Sequence, residues 1–161
     1  MDTRPQQPSY EERHFIGDIS LYFEQMRLPR MAGSILGVLL IADQPQQSID
    51  DLCEALQASK SAICTNARLL CEMGLIERVP SPVPRRVCFR LVPGVWAAFV
   101  GMQMRLMASL HQIAKRGLEL LKDDPPVLRE RLQEAHDMFS LIEQELPAML
   151  GRIEHGHGPI A

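Results

Sequence analysis

SIDDLCEALQASKSAICTNARLLCEMGLIERVPSPVPRRVCFRL, residues 48–91, decides the fold. Ser48 is a good helix N-cap with Asp51 three positions on, and Ile49, Leu52, Cys53 and Leu56 then share one helical face. That helix is expected to stop near Gln57. Ser59 caps a second helix, in which Ile63, Ala67, Leu70 and Cys71 recur at helical spacing, and Gly74 stands where a left-handed residue is wanted. Two short helices joined by about three residues read as a helix-turn-helix. After Gly74 the period changes. Leu75 to Val79 reads as a strand, Ser81 to Pro84 as a stiff proline-rich turn, and Arg86 to Leu91 alternates polar with apolar. A hairpin directly behind a helix-turn-helix is a wing.

The charge of this stretch points to a polyanion. The chain as a whole is acidic, with a net charge of -3. Between Ser59 and Arg90, however, Lys60, Arg68, Arg78, Arg85, Arg86 and Arg90 stand against only Glu72 and Glu77, a surplus of four. A basic block in an acidic chain is a local electrostatic footprint. The second helix has the shape of a major-groove reader. Opposite Ile63 and Leu70 it shows Ser61, Ala62, Thr65, Asn66 and Arg68, small side chains first and hydrogen-bonding ones after. Its N-terminus, with Ser59 and Lys60, offers backbone donors and positive potential to a phosphate. Arg85 and Arg86 at the hairpin reach toward the backbone or the minor groove. The expected DNA-binding set is these residues together with Ser48 at the head of the first helix.

Working outward, residues 1–8 read as a flexible arm. Residues 9–28 form a helix that opens on Ser9 with Glu12 at the capping-box position, and Phe15, Ile19, Tyr22 or Phe23, and Met26 make its apolar stripe. Arg30 to Ala42 is apolar on most faces and reads as a buried helix. It opens the winged helix-turn-helix domain, residues 29–93. Residues 94–154 are helical again, followed by a flexible tail, 155–161. Leu128, Leu132, Ala135, Phe139, Ile142, Leu146, Met149 and Ile153 alternate spacings of four and three, a heptad seam. A helix of roughly 30 residues is about 45 Å long, more than a small domain buries alone. A second copy of the chain is the simplest partner, so 9–28 and 94–154 are expected to be dimerisation helices. Pro147 is expected to kink the last one. The fold class is mainly α with a small β-hairpin wing, a winged helix-turn-helix flanked by N- and C-terminal dimerisation helices.

Other function classes find little footing. No apolar run approaches a membrane span, and the polar N-terminus does not read as a signal peptide, so a cytoplasmic location with reduced cysteines is expected. The sequence lacks G-x-S-x-G, P-loop, G-x-G-x-x-G and H-E-x-x-H patterns, so no enzyme and no cofactor are expected. Cys53 and Cys71 fall on expected core faces, while Cys64, near the DNA face with Lys60 close by, is the candidate redox sensor. His155 and His157 are two ligands without a third and make no metal site. Tyr22, Phe23 and Trp96 are the candidate effector pocket, with the chemistry of an aromatic cage for a quaternary ammonium.

The sequence resembles the MarR superfamily, most closely its GbsR-type branch. The resembling residues are Leu28-Pro29-Arg30-Met31-Ala32-Gly33-Ser34-Ile35-Leu36-Gly37, Ser48 to Leu52, Ala58 to Ser61, Arg68 to Leu70, and Met73 to Val79. The resemblance implies a triangular homodimer whose two winged lobes read a pseudo-palindromic operator, and repression relieved by a small ligand or by oxidation. It carries DNA contact over to Ser59, Lys60, Ser61, Thr65, Asn66, Arg68, Arg85 and Arg86. Two features depart from it. Ser61-Ala62-Ile63-Cys64 replaces a Gly-Asn-Val-Ser-like run, and Pro82-Val83-Pro84 replaces a wing tip with a glycine and an Asp two residues before an Arg. The rival reading is a winged-helix protein–protein interaction module that does not bind DNA.

Overall fold

The computed structural model describes residues 7–81 and 86–156. It divides into two compact units, Met1–Val95 and Trp96–Ala161.

The first unit is built on α2 (Arg30–Ile41), whose Ala32, Ile35, Leu36, Val38 and Leu39 are all buried. A helix this apolar has no wet face and must be wrapped. α1 (Tyr10–Gln25) lies against it and contributes Ile16 and Phe23 to the core. The approach is close because Gly33 and Gly37 present no side chain. A Cβ on Gly33 would stand 2.8 Å from the Ile19 carbonyl oxygen and from Ser20 Cα. α1 starts where Ser9 and Glu12 close a capping box, with the Ser9 N–H donating to Glu12 Oε2 at 2.6 Å.

α3 (Ile49–Leu56) and α4 (Lys60–Glu72) follow, joined by Gln57, Ala58 and Ser59. Gln57 is left-handed at φ 49°, so its backbone turns the chain without a glycine. Leu52, Ile63, Ala67 and Leu70 seal the two helices onto α2. At the far end of α4 the Leu75 N–H donates to the Leu70 carbonyl and Gly74 takes φ 72°, a Schellman stop. β2 (Ile76–Pro80) and β3 (Val87–Leu91) pair antiparallel, with Ile76 opposite Leu91 and Pro80 opposite Val87.

One strand was not expected. β1 (Gln46–Ser48) pairs with the other edge of β3, Gln46 opposite Arg90 and Ser48 opposite Cys88, so the sheet order is β1-β3-β2. The cysteine expectation also needs correcting. Cys88 is the buried thiol, under the sheet, whereas Cys53 and Cys71 are half-buried at the margins of their helices.

The second unit pairs α5 (Val95–Leu120) with α6 (Pro126–Gly156), which runs on through Pro147. His111 and Ala114 of α5 are buried, and His111 is only 2% exposed. Its Nδ1 lies 2.8 Å from Glu143 Oε2 and its ring meets His136 edge-on at 4.9 Å. The Glu143 contact is short but not aligned as a hydrogen bond, and both ring nitrogens are without one. On α5, Leu106, Leu110 and Ile113 are all more than half exposed. On α6, Leu128, Met138, Leu141 and Met149 are exposed too.

Candidate nucleic-acid interface

α4 has one face in the core and one in solvent. Ile63, Ala67 and Leu70 are fully buried. Turned half a helix away, Ser61, Thr65 and Arg68 form an exposed row at spacings of four and three. The row holds a hydroxyl near the helix start, a second hydroxyl one turn on, and a guanidinium beyond. Asn66 and Ala62 lie on the flank and are half-buried. The Asn66 amide donates to the Ala62 carbonyl at 2.9 Å. Ser59 is exposed, and its hydroxyl accepts from the Ala62 N–H at 3.2 Å.

Ser48 does not belong to this surface, which corrects the expectation placed on it. It is 1% exposed. Its hydroxyl donates to Asp51 Oδ2 at 2.6 Å and accepts from the Asp51 N–H. The residue is a buried cap that ends β1 and starts α3.

Three of the cations are paired. Lys60 Nζ lies 3.2 Å from Asp50 Oδ1, Arg86 Nη2 lies 3.7 Å from Asp51 Oδ1, and Arg90 Nε lies 2.8 Å from Glu77 Oε1 across the β2–β3 pair. Sequence reasoning missed Asp50 and Asp51 as partners. Asp51 stood out only as a helix-capping residue, and nothing local marks either as facing a distant cation. Arg85 and the hairpin tip, 82–85, lie outside the described residues.

Phe23 is 1% exposed and packs between α1 and α2, while Tyr22 beside it on α1 is exposed. Trp96, also exposed, is in the second unit. Cys64 is a half-buried free thiol, and the ammonium of Lys60 is engaged by Asp50. Burial pushes the Cys53 and Cys71 thiols up, away from the reactive thiolate.

Helix, left-handed turn, outward-facing helix and a two-stranded ribbon behind it define a winged helix-turn-helix protein. The comparisons with known proteins agree. A model of the MarR family matches residues 28–87, and one of MmpR5-like MarR family transcriptional regulators matches 94–155. The HTH-type transcriptional regulator MmpR5 of Mycobacterium tuberculosis (strain ATCC 25618 / H37Rv) is 40% identical over 144 residues, 89% of this chain and 87% of its own length. The chain belongs to the MarR family of transcriptional regulators. A crystal structure of a transcriptional regulator superposes with a TM-score of 0.75 at 39% identity, covering 90% of this chain and 99% of its own. A mutant MarR from E. coli complexed with operator DNA is more distant, at 18% identity and a TM-score of 0.41, covering 71% of this chain and 86% of that one.

Proposed function

We propose that the chain acts on transcription as a homodimer that binds a pseudo-palindromic duplex operator, with α4 in the major groove and the wing on the flanking backbone. One observation carries this reading. Ser61, Thr65 and Arg68 stand in a single exposed row directly opposite the buried Ile63, Ala67 and Leu70. A row of hydroxyls and a guanidinium on a helix of groove-fitting width suits base edges and phosphates. Ser59, Lys60, Ala62 and Asn66 flank it, and Arg85 and Arg86 supply the wing's charge. MmpR5 is named an HTH-type transcriptional regulator, which is consistent with the reading.

Self-association is supported by the outward stripe of Leu106, Leu110 and Ile113 and by the exposed Met138 and Leu141 of α6. Patches of this kind are uncommon on monomers. Among the described residues no helix is long and apolar enough to cross a membrane, in keeping with the proposed cytoplasmic location. Repression relieved by a small ligand, the GbsR-type placement and a quaternary ammonium effector at Tyr22 or Trp96 are the finer parts of this reading. Cys64 oxidation is the alternative trigger.

Anisotropy titrations of labelled duplexes over a salt series test it. Binding should weaken along a log–log line whose slope reports phosphate contacts. Arg85→Ala with Arg86→Ala should weaken all sequences alike, and Asn66→Ala should change sequence preference. A monomer that ignores duplex DNA overturns the reading in favour of a protein-interaction module.

A further inference from the structure

Resting on that DNA reading, we infer that Asp50 and Asp51, the paired carboxylates in the first turn of α3, are positioning residues for DNA binding. They hold the two cations nearest the proposed phosphates, Lys60 and Arg86, in internal ion pairs that DNA must displace.

Lys60 is the first residue of α4, a cation at the positive end of a helix dipole, where positive charge is disfavoured. The Asp50 carboxylate relieves that conflict from 3.2 Å away. Both side chains are more than half exposed, so the pair is held weakly and opens at little cost. In the free protein the carboxylate does for Lys60 and the helix end what a phosphate oxygen does in a complex. It is an internal stand-in for the ligand.

Asp51 is more sheltered and divides its two oxygens between two tasks. Oδ2 accepts from the Ser48 N–H at 2.8 Å and from the Ser48 hydroxyl at 2.6 Å, which fixes the carboxylate. Oδ1 is left facing Arg86 Nη2 at 3.7 Å. The wing's base is thereby tied to the cap of α3. The acidic partner of Arg86 comes from α3 and not from the hairpin itself.

Opening the pairs has a cost. A phosphate gains Lys60 only by giving Asp50 back to solvent, and the freed carboxylate recruits a cation from solution. Net counterion release is therefore smaller than the number of phosphate contacts. The small cost of opening the pairs falls on random duplex and operator alike, so it takes the larger share of the weaker binding.

The test uses the full-length protein and a labelled duplex of arbitrary sequence over a series of salt concentrations. Asp50→Asn should bind about three- to fivefold more tightly, the scale of one exposed ion pair. Its log–log salt slope should steepen by about one. In a Lys60→Ala background the same change should do nothing. Asp51→Asn, which keeps an acceptor for Ser48, should steepen the slope likewise while its unfolding midpoint reports any loss of the cap. An unchanged slope in Asp50→Asn overturns the inference alone. So does a gain that persists without Lys60, which would mean bulk charge and not this pair. Failure of the unaltered protein to bind any duplex overturns the DNA reading, and the inference with it.

Discussion

Gly33 decides how close α1 and α2 lie. Ile19 and Ser20 offer backbone, which does not move aside as a side chain would, at 2.8 Å from any Cβ placed there. Gly33→Ala should therefore destabilise the protein by about 1–3 kcal/mol, the usual cost of overpacking, read as a fall in the denaturant midpoint at unchanged slope. An unchanged midpoint would mean that the two helices have room to part. Arg27 is the opposite case. It ends α1 in the left-handed region at φ 62°, with the Leu28 N–H donating to the Phe23 carbonyl. A side chain pays for that conformation, so Arg27→Gly should gain about 0.5–1 kcal/mol in the same assay, and Arg27→Val should lose stability. The sequence shows a glycine at the α4 stop but shows nothing at Arg27 or Gln57. Their backbone angles follow from where the next helix must start.

Helix boundaries were legible because caps are written in four or five adjacent residues. Ser9 with Glu12, Ser48 with Asp51, Ser59, and Gly74 all do in the structure what their spacing implied. The Glu12 cap carries a pH signature. The Ser9 backbone N–H, and then its hydroxyl, hold the Glu12 carboxyl below its ordinary value of 4.5. A carboxylate lowered on folding stabilises above its unfolded value and loses that contribution as pH falls through the folded one. Unfolding midpoints between pH 5 and pH 3 (about one unit either side of the ordinary carboxylate range) should fall less steeply in Glu12→Gln than in the unaltered chain. A cap at the proposed interface has a second readout. Ser59→Ala should cost about 1 kcal/mol of stability and weaken duplex binding, because the same N-terminus faces a phosphate in the proposed complex. β1 was illegible for the converse reason. Gln46, Gln47 and Ser48 carry no alternation, and they become a strand only because β3 offers a free edge. The Asp50 and Asp51 pairs are equally non-local, so charge counting overstated how much free positive potential the stretch holds.

At the scale of the molecule, the heptad seam of α6 predicted a helix and its length, and the middle of the seam is its more sheltered side. Leu132, Ala135, Phe139 and Ile142 are half-buried, while Leu141, off the seam, is 59% exposed. Periodicity names a stripe, and the partner helix decides how much of it stays wet. If the exposed stripe is the self-association surface, Leu141→Glu should convert a dimer to a monomer by light scattering at a concentration where the unaltered chain is dimeric. It should leave helix content unchanged. A Leu141→Glu protein that remains dimeric would place the surface elsewhere.

The order β1-β3-β2 has a consequence for solubility. β3, the central strand of the sheet, is paired on both sides and has no open row of backbone groups. The two outer rims are poor docking ground for a stray segment. One is three residues long and turns straight into α3, and the other ends in Pro80, which has no N–H to give. The three-stranded ribbon is thus capped against recruiting further strands.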